Sequence, residues 1–177
     1  KEQFNLYSEL KKYLNLTKEV KVIECYDISN LSGKLATGSM VTFEEGRPDK
    51  SRYRHFRIKS VNSPNDFEML KEVFLRRFKH LEWPFPDLIM VDGGIAQLNV
   101  LLEALAANSL KIPAISLAKR FEKIYLKKDY KYITLKLPSD SPALNLVKRI
   151  RDEAHRFALI YHQKLRLKHL LDLLHNN

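Results

Sequence analysis

Two aspartates stand where a sheet would present chemically useful side chains. Asp92 follows the apolar run at 88–91 and precedes Gly93-Gly94, and Asp27 lies near the end of an alternating segment at 20–29. Open α/β sheets bind ligands beyond the carboxyl ends of their parallel strands. Two carboxylates that converge there form an oxygen site for a hard divalent cation, Mg²⁺ or Mn²⁺. The pattern around Asp92 alone fits a turn-former or helix cap equally well.

His155 and Asp66 are the other candidates for this chemistry. His155 lies on a polar stripe of a long predicted helix, with cations around it and Asp152 one turn before it. Beside a bound cation, an imidazole acts as general base, metal ligand or acid for the leaving oxygen, whereas a lone helical histidine is usually a solvated surface group. Asp66 begins a predicted helix, where capping or complementing the helix dipole is the ordinary role. We assign the other histidines to the surface: His55, His80, His162, His169 and His175.

The order of predicted elements brings the two aspartates together. Three strands (20–29, 36–43 and 51–61) precede a helix, a strand at 88–91, a second helix, a strand at 112–118 and a long terminal helix. This order is typical of an RNase H-like fold, in which two catalytic carboxylates belong on the neighbouring first and fourth strands. Asp27 and Asp92 occupy those strands, which favours the site over the turn-former. We therefore predict an α/β fold with an RNase H-like mixed sheet, a three-strand antiparallel meander plus parallel strands, flanked by helices.

Length and composition indicate one folded domain with peripheral helices. The 177 residues, 45% of them apolar, suffice for one full core. We divide the chain into a peripheral amphipathic helix (1–19), an RNase H-like domain (20–168) and a C-terminal helical tail (169–177). The single cysteine excludes an internal disulfide and a cysteine-based zinc site, and suits a reducing cytoplasm. No apolar run approaches the roughly 18 residues that span a bilayer, so no membrane partner is expected. A start at Lys1, without methionine or signal peptide, indicates a fragment.

The charge balance favours a polyanionic partner. Net charge is +10, from 31 Lys+Arg against 21 Asp+Glu, and phosphate contacts by cations release counterions and drive affinity. Solubility on a lysine-rich background explains the charge about as well. Tyr53 and Phe56 interleave with cations on the third strand, which could track a phosphate backbone, although a solvated outer strand explains them nearly as well. The DNA-binding candidates are Lys50, Arg52, Arg54, Lys119, Arg120 and Arg151.

Several motifs resemble the C-terminal endonuclease domain of the UvrC family, the excinuclease subunits of bacterial nucleotide excision repair. The longest spans 140–158 and contains DSPAL and RIRDEAHRFA. The shorter ones are YDIS at 26–29, GRPDKS at 46–51, VDGG at 91–94 and LAKR at 117–120. The resemblance covers roughly residues 20–168.

This resemblance implies an RNase H-like enzyme that incises damaged double-stranded DNA 5′ of a lesion with a divalent metal, Mg²⁺ or Mn²⁺. It implies that Asp27 and Asp92 bind the metal, that His155 replaces the third carboxylate of ordinary RNase H enzymes, and that Asp66 matches a further acidic position. The resemblance also implies that the damage-recognition protein UvrB binds through regions outside this chain. The chain departs from the family at two positions: Ile95 replaces the usual lysine after Asp-Gly-Gly, and Asn30 replaces a frequent histidine after Asp-Ile-Ser.

Two further hypotheses remain open. The missing lysine at position 95 motivates an RNase H-like module that positions nucleic acid or a protein partner without cutting. Such a module would bind DNA in a salt-sensitive manner and independently of metal. The second is a nuclease on RNA–DNA hybrids, which a comparison of hybrid and duplex substrates distinguishes.

Overall fold

The computed structural model describes residues 2–29, 36–59 and 65–176. Asn30, the predicted turn around it and the end of the predicted third strand lie outside the described residues. The helices are α1 (Glu2–Tyr13), α2 (Asp66–Lys79), α3 (Ile95–Ala107) and α4 (Pro142–His175). The strands are β1 (Val22–Ser29), β2 (Thr37–Glu44), β3 (Arg47–Pro48), β4 (Arg54–Arg57), β5 (Leu88–Asp92), β6 (Ala114–Ala118), β7 (Lys123–Lys128) and β8 (Lys131–Leu135).

These strands form one eight-stranded mixed sheet in the order β3-β2-β1-β5-β6-β7-β8, with β4 also paired to β2. The pairs β1–β5 and β5–β6 are parallel, and the other pairs are antiparallel. The predicted fold class is confirmed. The third predicted strand differs in detail, because a 3₁₀ turn at Lys50–Arg52 separates β3 from β4. Asp49 stabilises that turn by accepting hydrogen bonds from the Ser51 backbone N–H and hydroxyl.

Helices cover both faces of the sheet, and each face has its own apolar cluster. Cys25 and Met90 belong to the cluster that contains residues of α1 and α4, whereas Tyr26 and Val91 belong to the cluster of α2 and α3. Successive side chains of a strand point to opposite faces. The residue that follows Tyr26 and the residue that follows Val91 therefore face α4, and these residues are the two aspartates.

The two terminal segments differ from simple peripheral additions. Leu10 and Leu14 of the N-terminal segment are buried in the α4-side cluster. Helix α4 runs without interruption through residue 168 to His175. The division of the chain at 19/20 and 168/169 stays a prediction. Among the described residues, no helix combines the length and apolarity that crossing a bilayer requires.

Candidate active site

Strand register places the two aspartates at one edge of the sheet. Tyr26 of β1 pairs with Val91 of β5 in the parallel ladder, so Asp27 and Asp92 occupy the next position on neighbouring strands. Adjacent strands lie about 4.8 Å apart. Both acids therefore stand side by side at the carboxyl ends of parallel strands, facing α4.

The turn after β5 leaves Asp92 free of a capping role. Gly93 has a φ of 137°, a backbone conformation that favours glycine, and an added Cβ would lie 2.6 Å from Gln97 side-chain atoms. The Gln97 side-chain oxygen accepts a hydrogen bond from the Gly94 N–H at 2.9 Å at the start of α3. Among the described residues, no hydrogen bond to the Asp92 carboxylate is formed. The turn-former alternative for Asp92 is therefore not supported.

Helix α4 brings His155 to the same edge from a position 128 residues away in sequence. Its Nδ1 lies 3.3 Å from Asp27 Oδ2. The His155 side chain is 49% exposed and that of Asp27 is 11% exposed. The imidazole thus closes one side of the acidic pair while remaining open to solvent.

Burial acts against charge on both acids, and a neighbouring carboxylate adds to this effect, Asp92 for Asp27 and Asp152 for Asp92. Desolvation, followed by the negative charge of Asp92, raises the pKa of Asp27, and His155 and Lys119 lower it in part. Desolvation also raises the pKa of Asp92, against the lowering effects of Lys119, Arg151 and His155. Two desolvated carboxylates side by side therefore favour binding of a cation, which would offset their negative charge.

The donor chemistry of this edge suits a hard divalent cation. Carboxylate oxygens are the preferred ligands of Mg²⁺ and Mn²⁺, and an imidazole nitrogen is an acceptable third ligand for Mn²⁺. Within residues 2–29, 36–59 and 65–176, no group of three or more His, Cys, Asp or Glu side chains is arranged as a metal centre. The candidate metal donors at this edge are the two carboxylates of Asp27 and Asp92, with the imidazole of His155 beside Asp27.

Residues 11–159 match the family model described as the UvrC RNAse H endonuclease domain. The chain belongs to this UvrC family. It is 47% identical over 170 residues to UvrABC system protein C of Dictyoglomus thermophilum, covering 93% of this chain and 28% of that protein. It is 44% identical over 165 residues to the protein of the same name from Pelodictyon phaeoclathratiforme, covering 92% of this chain and 26% of that protein.

This UvrC domain thus spans about a quarter of the length of the curated relatives it matches. Among solved structures, endonuclease V of Bacillus subtilis is 15% identical with a TM-score of 0.46, covering 92% of this chain and 91% of that chain. The match to the UvrC family model accords with the resemblance stated from the motifs.

Asp66 occupies a different setting from the other predicted site residues of this UvrC domain. Asn65 caps α2, because its side-chain oxygen accepts hydrogen bonds from the N–H groups of Phe67 at 3.1 Å and Glu68 at 3.2 Å. Asp66 is exposed in the first turn, where it complements the helix dipole. Across the described residues, no hydrogen bond or ion pair joins Asp66 to Asp27, Asp92 or His155.

The six basic candidates divide into two groups. Lys119 and Arg151 act electrostatically on Asp92 and therefore lie beside the acidic edge. Arg120 is exposed one residue further along the chain. Exposed Lys50 begins the 3₁₀ turn. In and after that turn, Arg52 pairs with Asp49 at 3.2 Å and Glu44 at 3.7 Å, and Arg54 donates to the carbonyls of Ser51 and Tyr53. At the acidic edge, Arg151 also pairs with its neighbour Asp152 at 3.1 Å.

Two histidines expected at the surface pack inside the domain instead: His55 is half-buried against α4, and His162, on α4 itself, is buried. His55 of β4 stacks between the rings of Phe157 and Tyr161, with centroids 3.8 and 3.9 Å away. His162 is buried, and neither ring nitrogen has a hydrogen-bond partner among the described residues. The surface prediction for both was wrong. The phase of His162 on α4, four residues after buried Ala158, was the available signal.

Proposed function

We propose that this UvrC domain is a divalent-metal-dependent DNA endonuclease of nucleotide excision repair that incises damaged double-stranded DNA 5′ of a lesion. The observation that carries the proposal is the meeting of two desolvated strand-end carboxylates, Asp27 and Asp92, with His155 on one face of the sheet. The net charge of +10 supports a polyanionic substrate.

Each residue of the edge has a distinct task in this proposal. Asp27 and Asp92 would hold Mg²⁺ or Mn²⁺ through carboxylate oxygens, and His155 would provide a nitrogen ligand or, with Nδ1 donating to Asp27, a proton-accepting Nε2. A cation held by these residues would supply Lewis-acid chemistry, polarising the phosphodiester and lowering the pKa of an attacking water. Lys119 and Arg151 attract the phosphate to a site that is otherwise negative.

The partners of the reaction lie partly beyond these residues. We propose that UvrB delivers the damaged duplex through other regions of the longer protein, as the name UvrABC system protein C of the relatives suggests. We propose a cytoplasmic location, which suits a single buried free cysteine, Cys25. The basic candidates Lys50, Arg52, Arg54, Lys119, Arg120 and Arg151 are proposed to contact the DNA backbone.

The test compares Asp27→Asn and Asp92→Asn with the wild type in the full-length protein, with UvrB, a damaged duplex and Mg²⁺ or Mn²⁺. We expect each variant to incise at least about 10²-fold more slowly, since a carboxylate ligand of the cation is lost. Asp129→Asn is the matched control, because it removes the same charge from the exposed β7–β8 turn, at the other edge of the sheet. Normal incision by both site variants would refute the proposal.

His155→Ala and Asp66→Asn rank the remaining candidates in the same assay. We expect His155→Ala to approach the aspartate variants, because its ring touches Asp27. Asp66→Asn is expected to have a smaller effect, because no hydrogen bond or ion pair in the described part of the chain joins Asp66 to the other three residues. A loss with Asp66→Asn as large as with Asp92→Asn would place Asp66 in the catalytic centre.

The non-cutting module remains the second candidate, because Ile95 places an exposed apolar side chain in the first turn of α3, three residues after Asp92. It predicts DNA binding with the same salt dependence in EDTA and in Mg²⁺, and no incision in any metal. A hybrid-specific nuclease would instead cut an RNA–DNA duplex faster than the damaged DNA duplex.

A further inference from the structure

The turn between β6 and β7 presents a largely solvent-exposed aromatic ring, that of Phe121. Phe121 is 62% exposed, and its φ of 63° is in the left-handed region, as is that of Glu122 at 49°. Side chains with a Cβ are disfavoured there, and glycine or asparagine suits such positions better. An exposed apolar ring on a disfavoured backbone conformation contributes little to the stability of the fold. This suggests that the ring contacts a ligand instead.

Two cations lie close to the ring of Phe121. The Arg120 guanidinium carbon is 5.2 Å from the ring centroid, and Lys123 Nζ is 5.5 Å from it. Proteins that hold single strands of nucleic acid combine these two features, an aromatic face for a base and cations for the phosphates beside it. An acidic or purely apolar ligand would use only one of them.

The turn lies at the same sheet edge as the two acids. Asp92 pairs with Leu117 of β6, and Phe121 follows four residues later, beyond the end of the strand. Glu122 pairs with Lys148 of α4 at 3.2 Å, which anchors the turn to the helix that carries His155. Phe121 also lines a surface groove with Leu137 and Leu144. A strand whose phosphate reached the acids would therefore run past the ring.

A second turn offers the same side-chain chemistry at the opposite edge. Tyr130 in the β7–β8 hairpin is 96% exposed, has a φ of 64° and is followed by Lys131. Because β7 runs antiparallel to β6, this turn lies at the far end of the sheet from the acids. Its left-handed backbone is what a two-residue hairpin requires. Tyr130 is thus a matched control for Phe121.

We propose that Phe121 is a DNA-contacting residue whose ring stacks on an unpaired or unstacked base of the strand that passes the acidic edge. Arg120 and Lys123 contact the phosphates on either side of that base. The proposal rests on the proposed function, because that function brings DNA to this edge. It adds a preference for distorted DNA over regular duplex near the scissile phosphate.

The test measures binding in EDTA, where metal-dependent incision does not occur. The probe is a fluorescent DNA duplex with one unpaired 2-aminopurine, compared with the fully paired duplex, using the 177-residue chain and the full-length protein. Phe121→Ala is expected to weaken binding of the distorted duplex by about 5- to 100-fold and to abolish quenching of the 2-aminopurine. Phe121→Trp should retain both, and Tyr130→Ala should match the wild type.

Equal losses for Phe121→Ala and Tyr130→Ala, or equal losses on distorted and paired duplex, would overturn the proposal. A larger loss on a matched RNA probe than on DNA would overturn the assignment to DNA. Adding Asp92→Asn to the set separates the two proposals, because it should leave binding in EDTA intact while incision fails. Thermal melting of each variant shows that the exposed substitutions leave the fold intact.

Discussion

Strand β1 carries two acids, three residues apart, that the structure treats in opposite ways. Glu24 faces α2 and is buried, and its oxygens accept hydrogen bonds from Arg77 Nε at 3.0 Å, Arg77 Nη2 at 2.8 Å and the Tyr26 hydroxyl at 2.6 Å. Asp27 faces α4, where its hydrogen-bond partner is the half-exposed His155 at 3.3 Å and Asp92 opposes its charge. The carboxylate of Glu24, paired with the Arg77 guanidinium, stabilises the fold. The desolvated carboxylate of Asp27 has no such partner, which makes it a candidate ligand for a metal cation.

Arg77 extends the structural half of this comparison. It is buried and also donates hydrogen bonds to the carbonyls of His80 and Pro84, at 3.3 and 3.0 Å. Its guanidinium lies over the rings of Trp83 and Phe85. One side chain therefore links α2, β1 and the segment that enters β5, which positions the strand bearing Asp92.

Removing Arg77 should cause the largest change in stability. Arg77→Ala leaves Glu24 charged and buried without its cationic partner, which costs about 3–5 kcal/mol of unfolding free energy. Urea titration measures the difference. Arg76→Ala is the matched control on the same helix, because its ion pair with Glu72 is partly exposed, and it should cost less than about 1 kcal/mol. Similar losses for the two variants would remove the distinction between the acids.

Neutralising the two acids should change stability in opposite directions. Asp27→Asn is expected to stabilise the fold at pH 7 by on the order of 1 kcal/mol, because it removes a desolvated and repelled charge. Glu24→Gln should destabilise the fold, because it leaves the Arg77 charge unpaired. Chemical denaturation of both variants at pH 7 is the measurement, and two changes of the same sign would contradict the comparison.

The pH dependence of the Asp27→Asn effect follows from the direction of the pKa shift. Because the folded-state pKa of Asp27 is raised, its favourable contribution is complete below the ordinary pKa of about 4 and is lost as pH rises through the folded value. The stability gain of Asp27→Asn should therefore be present at pH 7 and should vanish on acidification. A gain that persists at pH 3 would exclude this cause.

His55 is a third titratable group, half-buried as a neutral ring. It lies on β4 opposite Ser39 of β2, which in turn pairs with Asp27 of β1. Burial, followed by the charge of Lys164, lowers the pKa of His55 to about 4. The unfolded chain then takes up a proton first, so stability should fall between about pH 6.5 and pH 4, by on the order of 1–2 kcal/mol after allowance for partial exposure.

Replacing His55 tests this contribution. His55→Phe should keep the stack with Phe157 and Tyr161 and flatten the fall in stability between pH 6.5 and pH 4. His169→Gln on the exposed part of α4 should leave the pH profile of the wild type. An unchanged profile for His55→Phe would assign the acid sensitivity to other groups.

Adding a cationic side chain beside Asp92 should give the smallest effect among these variants. It would give Asp92 a positively charged neighbour, as Arg77 is for Glu24. Ile95→Lys is expected to lower the pKa of Asp92 and to add one phosphate contact, which steepens the salt dependence of DNA binding by about 0.9 in log–log slope. Leu81→Lys is the control, because Leu81 is exposed and precedes β5, at the other end of that strand. Equal slopes for both variants would show that position 95 does not meet the DNA.

Much of the candidate site was accessible from local sequence pattern. The apolar run before Asp92 and the alternation before Asp27 predict strand ends, and the glycines after Asp92 predict the turn that the φ of Gly93 confirms. Ser141 and Pro142 likewise begin α4 as predicted. These features depend on neighbours in sequence, for which period and turn chemistry suffice.

Other features had no local signal. Arg77 follows buried Val73 by four residues on α2, so helical phase indicates its burial, but nothing near it in sequence identifies Glu24 as its partner. The predicted third strand, 51–61, begins only at Arg54, because a 3₁₀ turn at Lys50–Arg52 takes the place of its first residues. In both cases the outcome depends on what the rest of the chain places nearby.

The amino-acid sequence by itself determined which residues of this UvrC domain can do chemistry and at which ends of which elements they lie. Only the tertiary structure decided which acid is compensated, because the deciding partners are distant in sequence: Arg77 is 53 residues from Glu24, and His155 is 128 residues from Asp27. Burial and charge pairing are properties of the packed sheet and helices, so the same carboxylate chemistry stabilises the fold on one face and forms the candidate site on the other.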